Sequence, residues 1–135
     1  MDAKIIADLI GIPFVDGGRN SRGLDCWGLC MEAFKRFGYS LPEYEVSAFA
    51  FKKINKTISL AKANWEPTAS PVAPCLVLMR LSTANLINHC GIYLGNGILL
   101  HTRDKTGAVL ERIDSPVFRA IINSYLIPPE EYRTT

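Results

Sequence analysis

Only two histidines occur in the 135 residues, His89 and His101, so any chemistry that needs an imidazole must draw on one or both of them. Charge imbalance is missing too: 15 basic side chains against 13 acidic ones leave a formal net charge of +2. The Lys and Arg residues are scattered, and Lys52, Lys53 and Lys56 read as one solvated helix face, so nucleic acid is not an expected partner. Apolar runs such as Ile98-Leu99-Leu100 fall far short of the roughly 20 residues that cross a bilayer, which excludes membrane insertion by a helix. The start of the chain mixes Asp2, Lys4 and Asp8 with apolar residues and shows neither a basic start nor a clean hydrophobic run. No signal peptide is therefore expected, and synthesis in the cytoplasm is. Cys-x-x-Cys pairs are absent, although Cys26 and Cys30 share a helix face and His89 adjoins Cys90. Reduced thiols are the expectation for Cys26, Cys30, Cys75 and Cys90, with no metal site and no cofactor.

Hydrophobic residues make up 48% of the chain, enough at this length to bury a core in one domain spanning residues 1–135. The stretch Gly23-Leu24-Asp25-Cys26-Trp27-Gly28-Leu29-Cys30 is its centre, because it puts a thiol where a polar loop turns into an apolar-periodic helix. Leu29, Cys30, Ala33, Phe34 and Phe37 recur at helical spacing, predicting a helix over 25–37 that Asp25 caps and Gly38 ends. A thiol in that first turn meets the positive end of the helix dipole, which favours the thiolate. The free N–H groups there could also hold an oxyanion.

Elsewhere the periodicity predicts a short helix over 3–10 and a longer one over 47–64, with a proline-rich connector at 65–74. Strands are predicted over 76–81, 89–94, 98–102, 109–113 and 120–127, the second and third joined by the turn Gly95-Asn96-Gly97. Helices first and an antiparallel meander second make an α+β domain with helices packed on one sheet face.

A cysteine peptidase needs a thiolate, an imidazole that takes and returns its proton, and a third group that orients the imidazole. Pairing across the Gly95–Gly97 turn sets His89 opposite residues 102–104, within reach of His101. That spacing permits a Cys26, His89, His101 triad without forcing it, since a strand histidine also serves as a plain structural residue. Cys30, Cys75 and Cys90 read as small buried hydrophobes, and Trp27 and Trp65 as core or groove lining.

Two blocks resemble a known family, the NlpC-type cell-wall cysteine peptidases. Gly11-Ile12-Pro13-Phe14-Val15-Asp16-Gly17-Gly18 followed by Leu24-Asp25-Cys26-Trp27-Gly28-Leu29 resembles that family's Gly-x-Pro-Tyr-x-x-Gly-Gly and Asp-Cys-Ser-Gly-Leu signatures. His89-Cys90-Gly91-Ile92-Tyr93-Leu94-Gly95-Asn96-Gly97 resembles its His-Val-Gly-Ile-Tyr-Leu-Gly-Asn-Gly, with His101 as the second histidine. The resemblance implies a papain-like α+β core, Cys26 as nucleophile, His89 as general base and His101 as the residue orienting it. It implies Asp25 as a binder of the free amino end of a peptidoglycan stem peptide, with Phe14 and Trp27 beside the substrate. The implied reaction is hydrolysis of the stem amide between the side-chain carboxyl of D-glutamate and a diamino acid, through an acyl-enzyme and without metal. Phe14 replaces a tyrosine and Trp27 a small serine of the family pattern, which reshapes the groove. Trp27 and the small size are similar to phage- or prophage-encoded members that ride in a tail, so tail proteins and the virion are the expected partner and location. The competing readings are an inactive tail or assembly protein on the same fold and a related thiol amidase or acyltransferase.

Overall fold

The computed structural model describes residues 3–44, 51–81 and 86–134. Short apolar segments separated by turns pair into a six-stranded antiparallel sheet, in the order β3-β8-β4-β5-β6-β7. The strands are β3 (Glu66–Thr68), β4 (Cys75–Met79), β5 (His89–Gly95), β6 (Ile98–Arg103), β7 (Gly107–Arg112) and β8 (Ile122–Ile127). A small ribbon, β1 (Arg19–Asn20) with β2 (Gly23–Leu24), precedes helix α1 (Cys26–Arg36). Helices α2 (Phe51–Ala61) and α3 (Pro116–Ile121) complete the set.

Every residue of β4 is buried, so its two faces both carry apolar side chains. Leu76 and Leu78 join Cys90, Ile92, Leu94 and Leu100 beneath α1, whose Leu29, Cys30, Ala33 and Phe34 are fully buried. Burial of these side chains, at roughly 1.5–3 kcal/mol for each large one, is what holds α1 on β5 and β6. Phe34 meets the Tyr39 and Trp65 rings edge to face, at 6.1 and 6.0 Å between centroids. Cys75, Val77 and Met79 point the other way, into a second cluster with Tyr93, Leu99 and Phe118 of α3. The sheet is therefore covered on both faces, not on one.

The helix expected over 3–10 is instead two 3-10 turns, Ala3–Ile5 and Ala7–Leu9, broken at Ile6. Eight residues hold too few hydrogen bonds to offset helix nucleation, and the three-residue spacing of buried Ile6 and Leu9 suits the tighter turn. The predicted helix 25–37 forms over Cys26–Arg36, and that predicted over 47–64 forms over Phe51–Ala61 with a 3-10 turn at Lys62–Asn64. Its first part, 47–50, lies outside the described residues. The connector 65–74 contains a strand, β3, which pairs at the sheet edge with Pro67 opposite Leu126; an edge strand tolerates the missing N–H. Residues 116–121 form α3 where irregular chain and the start of a strand were expected. Ser115 caps it by accepting from Phe118 N, and Pro116 opens it.

The β5–β6 hairpin positions the two histidines. Gly95, Asn96 and Gly97 all have positive φ, at 97°, 54° and 78°, and a bulge between Tyr93 and Gly95 sets the register that pairs Ile92 with Leu100.

Candidate active site

The loop before α1 is built around one carboxylate. Asp25 is 3% exposed; its Oδ1 accepts from Gly28 N at 2.7 Å and from Arg19 Nη1 at 2.6 Å, and its Oδ2 from Gly17 N at 3.1 Å. Gly28 N is one of the helix's free first-turn donors, so the cap fixes where α1 begins and hence where Cys26 stands. Arg19 then turns outward to Glu43, with Nη2 to Oε1 at 2.6 Å, tying the 42–44 segment to the loop. Trp27 Nε1 donates to Pro42 O at 2.9 Å, and the Trp27 and Tyr44 rings lie 5.2 Å apart. The residue after the thiol is thereby locked into a wall.

His89 opens β5 and contacts the Cys26 thiol, while its Nε2 lies 2.9 Å from His101 Nδ1. With Nε2 turned to His101, Nδ1 is left for Cys26. For His89 to serve as a base that nitrogen must be bare, which puts the His89 proton on Nε2, donated to His101 Nδ1. His101 then carries its own proton on Nε2, which is buried with no hydrogen-bond partner among the described residues. Its ring packs edge to face on Phe118 at 5.2 Å, which holds its orientation from below.

Burial works against the charged form of both imidazoles. His89 is held below the usual imidazole range by burial, against an upward pull from Cys26, and His101 is pushed down to about 4 by burial and then by Arg103. The Cys26 thiol is pushed well up by its hydrogen bond to the Cys90 thiol and by burial, against a smaller downward pull from His89. Both influences on the thiol work against the helix dipole, which favours the thiolate.

A groove opens beside Cys26 and His89. Trp27, Tyr44, Ile58, Trp65 and Leu76 form apolar walls, with Lys62 at its margin. The structure thus brings Cys26, His89 and His101 together and puts Trp27 on the groove. Asp25 lines the groove too, yet three of its acceptor positions are taken inside the loop, so it positions α1 more than it presents a charge to a ligand. Phe14 is not among the groove-lining residues. It is half-buried and forms a parallel bridge with Leu24, which ties it to the ribbon before α1.

Sequence reasoning missed Arg19, Tyr44 and Cys90 as parts of this neighbourhood. Arg19, inside the glycine-rich loop, lies 24 residues from Glu43, too far for any local pattern to pair them.

The sequence model of the NlpC/P60 family matches residues 11–125. The chain is 26% identical over 118 residues to the murein DD-endopeptidase MepS/murein LD-carboxypeptidase of Escherichia coli K12, covering 87% of this chain and 56% of that protein. It is 30% identical over 105 residues to the gamma-D-glutamyl-L-lysine dipeptidyl-peptidase of Bacillus subtilis, covering 78% of this chain and 32% of that one. The chain thus spans about half the length of the first relative and a third of the second. Among solved structures, the NlpC/p60 domain of the peptidoglycan hydrolase SagA superposes with a TM-score of 0.62 at 18% identity, covering 93% of this chain and 97% of that domain.

Proposed function

The chain belongs to the NlpC/P60 family, and on that premise we propose that it is a cysteine peptidase that cleaves a peptidoglycan stem peptide between the D-glutamate side-chain carboxyl and a diamino acid. The observation that carries the reading is the run of Cys26, His89 and His101, with the thiol at a helix start and the facing nitrogens of the two imidazoles 2.9 Å apart. The bond chosen takes its support from the name of the B. subtilis relative.

In this mechanism His89 Nδ1 takes the Cys26 proton as Sγ attacks the scissile carbonyl carbon. The carbonyl oxygen becomes an oxyanion, held by the first-turn N–H groups of Cys26 and Trp27, which have no intrahelical partner. His89 then gives its proton to the leaving amine, which departs and leaves a thioester on Cys26. Water, deprotonated by His89, attacks the thioester; the acid is released and Cys26 is protonated again. His101 accepts from His89 Nε2–H throughout, keeping Nδ1 aimed at sulfur.

The tail-borne setting belongs to the same proposal and is supported by the likeness of Trp27 to phage-encoded members. The apolar groove walls favour a second reading, a thiol acyltransferase or amidase with an apolar acyl donor. Digestion of purified sacculi, with the released fragments weighed by mass spectrometry, tests the first reading. Fragments cut between D-glutamate and the diamino acid support it; intact stems together with turnover of an acyl ester or thioester overturn it in favour of the second.

A further inference from the structure

The mechanism above uses one thiol, but three sulfurs run inward from the groove. Cys26 and Cys30 are four residues apart on α1 and so share a face, and Cys90 of β5 points up at that face. Cys30 Sγ and Cys90 Sγ are 3.8 Å apart, both fully or almost fully buried. Cys90 also lies beside Cys26, with which it lines the groove, so it stands between the other two. Cys26 is half-buried and lines the groove, which makes it the entry point for a small reactant.

We propose that Cys26, Cys90 and Cys30 form a thiol relay that moves an oxidation from the nucleophile into the core and stores it as a Cys30–Cys90 disulfide. His89 takes the Cys26 proton as the sulfur attacks a peroxide, ROOH, and returns it to the departing alkoxide, so that Cys26 becomes the sulfenic acid and the alcohol ROH leaves. The Cys90 sulfur attacks the sulfenyl sulfur of Cys26; an S–S bond forms, and the hydroxyl leaves as water with the Cys90 proton. Cys30 then attacks the Cys90 sulfur, the Cys26–Cys90 bond breaks, and Cys26 leaves as thiolate and takes up the Cys30 proton. In sum two thiols lose two electrons and two protons, the peroxide is reduced to alcohol and water, and Cys26 is free again. The sulfurs need to close from 3.8 Å to about 2.05 Å, a side-chain movement between two packed elements. Cys75 lies in the cluster on the opposite sheet face, where burial pushes its thiol up to about 11, and it takes no part.

The relay stands on the thiol geometry whatever the substrate is. The test is to treat the whole protein with one equivalent of hydrogen peroxide, alkylate the remaining thiols and map the cysteines by mass spectrometry without reduction. The expected product has Cys30 joined to Cys90, with Cys26 and Cys75 alkylated, and dithiothreitol reverses it. In Cys26→Ala the disulfide forms at least tenfold more slowly. In Cys90→Val the Cys26 thiol proceeds to the sulfinic acid, and in Cys30→Val oxidation stops at Cys26–Cys90. Sulfinic acid at Cys26 in the wild type, a disulfide that includes Cys75, or an undiminished rate in Cys26→Ala would overturn the relay. The wild-type map decides even where a variant does not fold.

Discussion

His89 Nε2 and His101 Nδ1 face each other at 2.9 Å, both rings buried, across a hairpin whose turn runs through three residues of positive φ. One imidazole holding another is a positioning device with a tautomeric consequence, because only His89 protonated on Nε2 leaves Nδ1 bare for Cys26.

Removing the base should cost more than removing its holder. His89→Ala is expected to lower kcat by about a hundred- to ten-thousand-fold. His101→Ala should lower kcat by a smaller factor, about tenfold or more, with KM little changed, and His101→Gln should recover part of it by accepting the same hydrogen bond. Steady-state kinetics on a stem peptide checks both; a His101 effect confined to KM would contradict the positioning role.

The directions in which Cys26 and His89 are shifted set the expected pH dependence. His89 must be uncharged to take the thiol proton, and burial holds it below the ordinary value of 6.5, so the acid limb of kcat/KM should fall below pH 6.5. Alkylation of Cys26 by iodoacetamide in the free protein should keep climbing past about pH 8.5, since burial and Cys90 push the thiol up. A plateau in alkylation reached by pH 7 would show a resting thiolate instead.

Stability should respond to acid through His101. Its folded value of about 4 lies below the unfolded 6.5, so the unfolded chain binds the proton first. The contribution is therefore complete above about pH 6.5 and is lost as pH falls towards 4, on the order of 3 kcal/mol in all. Urea midpoints at pH 7 and pH 4.5 should separate the wild type from His101→Gln, which lacks this loss.

The Asp25 carboxylate should matter to folding before it matters to binding. Asp25→Ala removes a helix cap and leaves Gly17 N–H without its acceptor, a loss of about 2–3 kcal/mol. Asp25→Asn keeps an oxygen for Gly28 and should lose less. Asp8→Ala, which breaks a solvent-exposed pair with Arg36, should leave the urea midpoint in place.

Much of this arrangement was legible in the chain. Asp25 before an apolar 3.6-residue period marked the start of α1, and Gly95-Asn96-Gly97 between apolar runs marked the hairpin, because caps and turns are local chemistry. The approach of His101 to His89 was readable as a possibility and no more, since the bulge between Tyr93 and Gly95 that sets the register leaves no sequence mark. Long-range pairings were invisible for the same reason: Arg19 with Glu43, and Cys30 with Cys90 across 60 residues, exist only once α1 lies on β5. α3 was hidden by its length, six residues whose only signal is Ser115-Pro116. For the thiol, the helix start that speaks for the thiolate is local and readable, while the second thiol and the burial that oppose it come with the strand beneath and leave no local mark.

The measurement to make first compares hydrolysis of a purified stem peptide by the wild type and by Cys26→Ala, with circular dichroism showing that both are folded. Covalent catalysis by Cys26 predicts cleavage by the wild type and a fall of at least about ten-thousand-fold in the variant. Hydrolysis at a comparable rate by folded Cys26→Ala would contradict it.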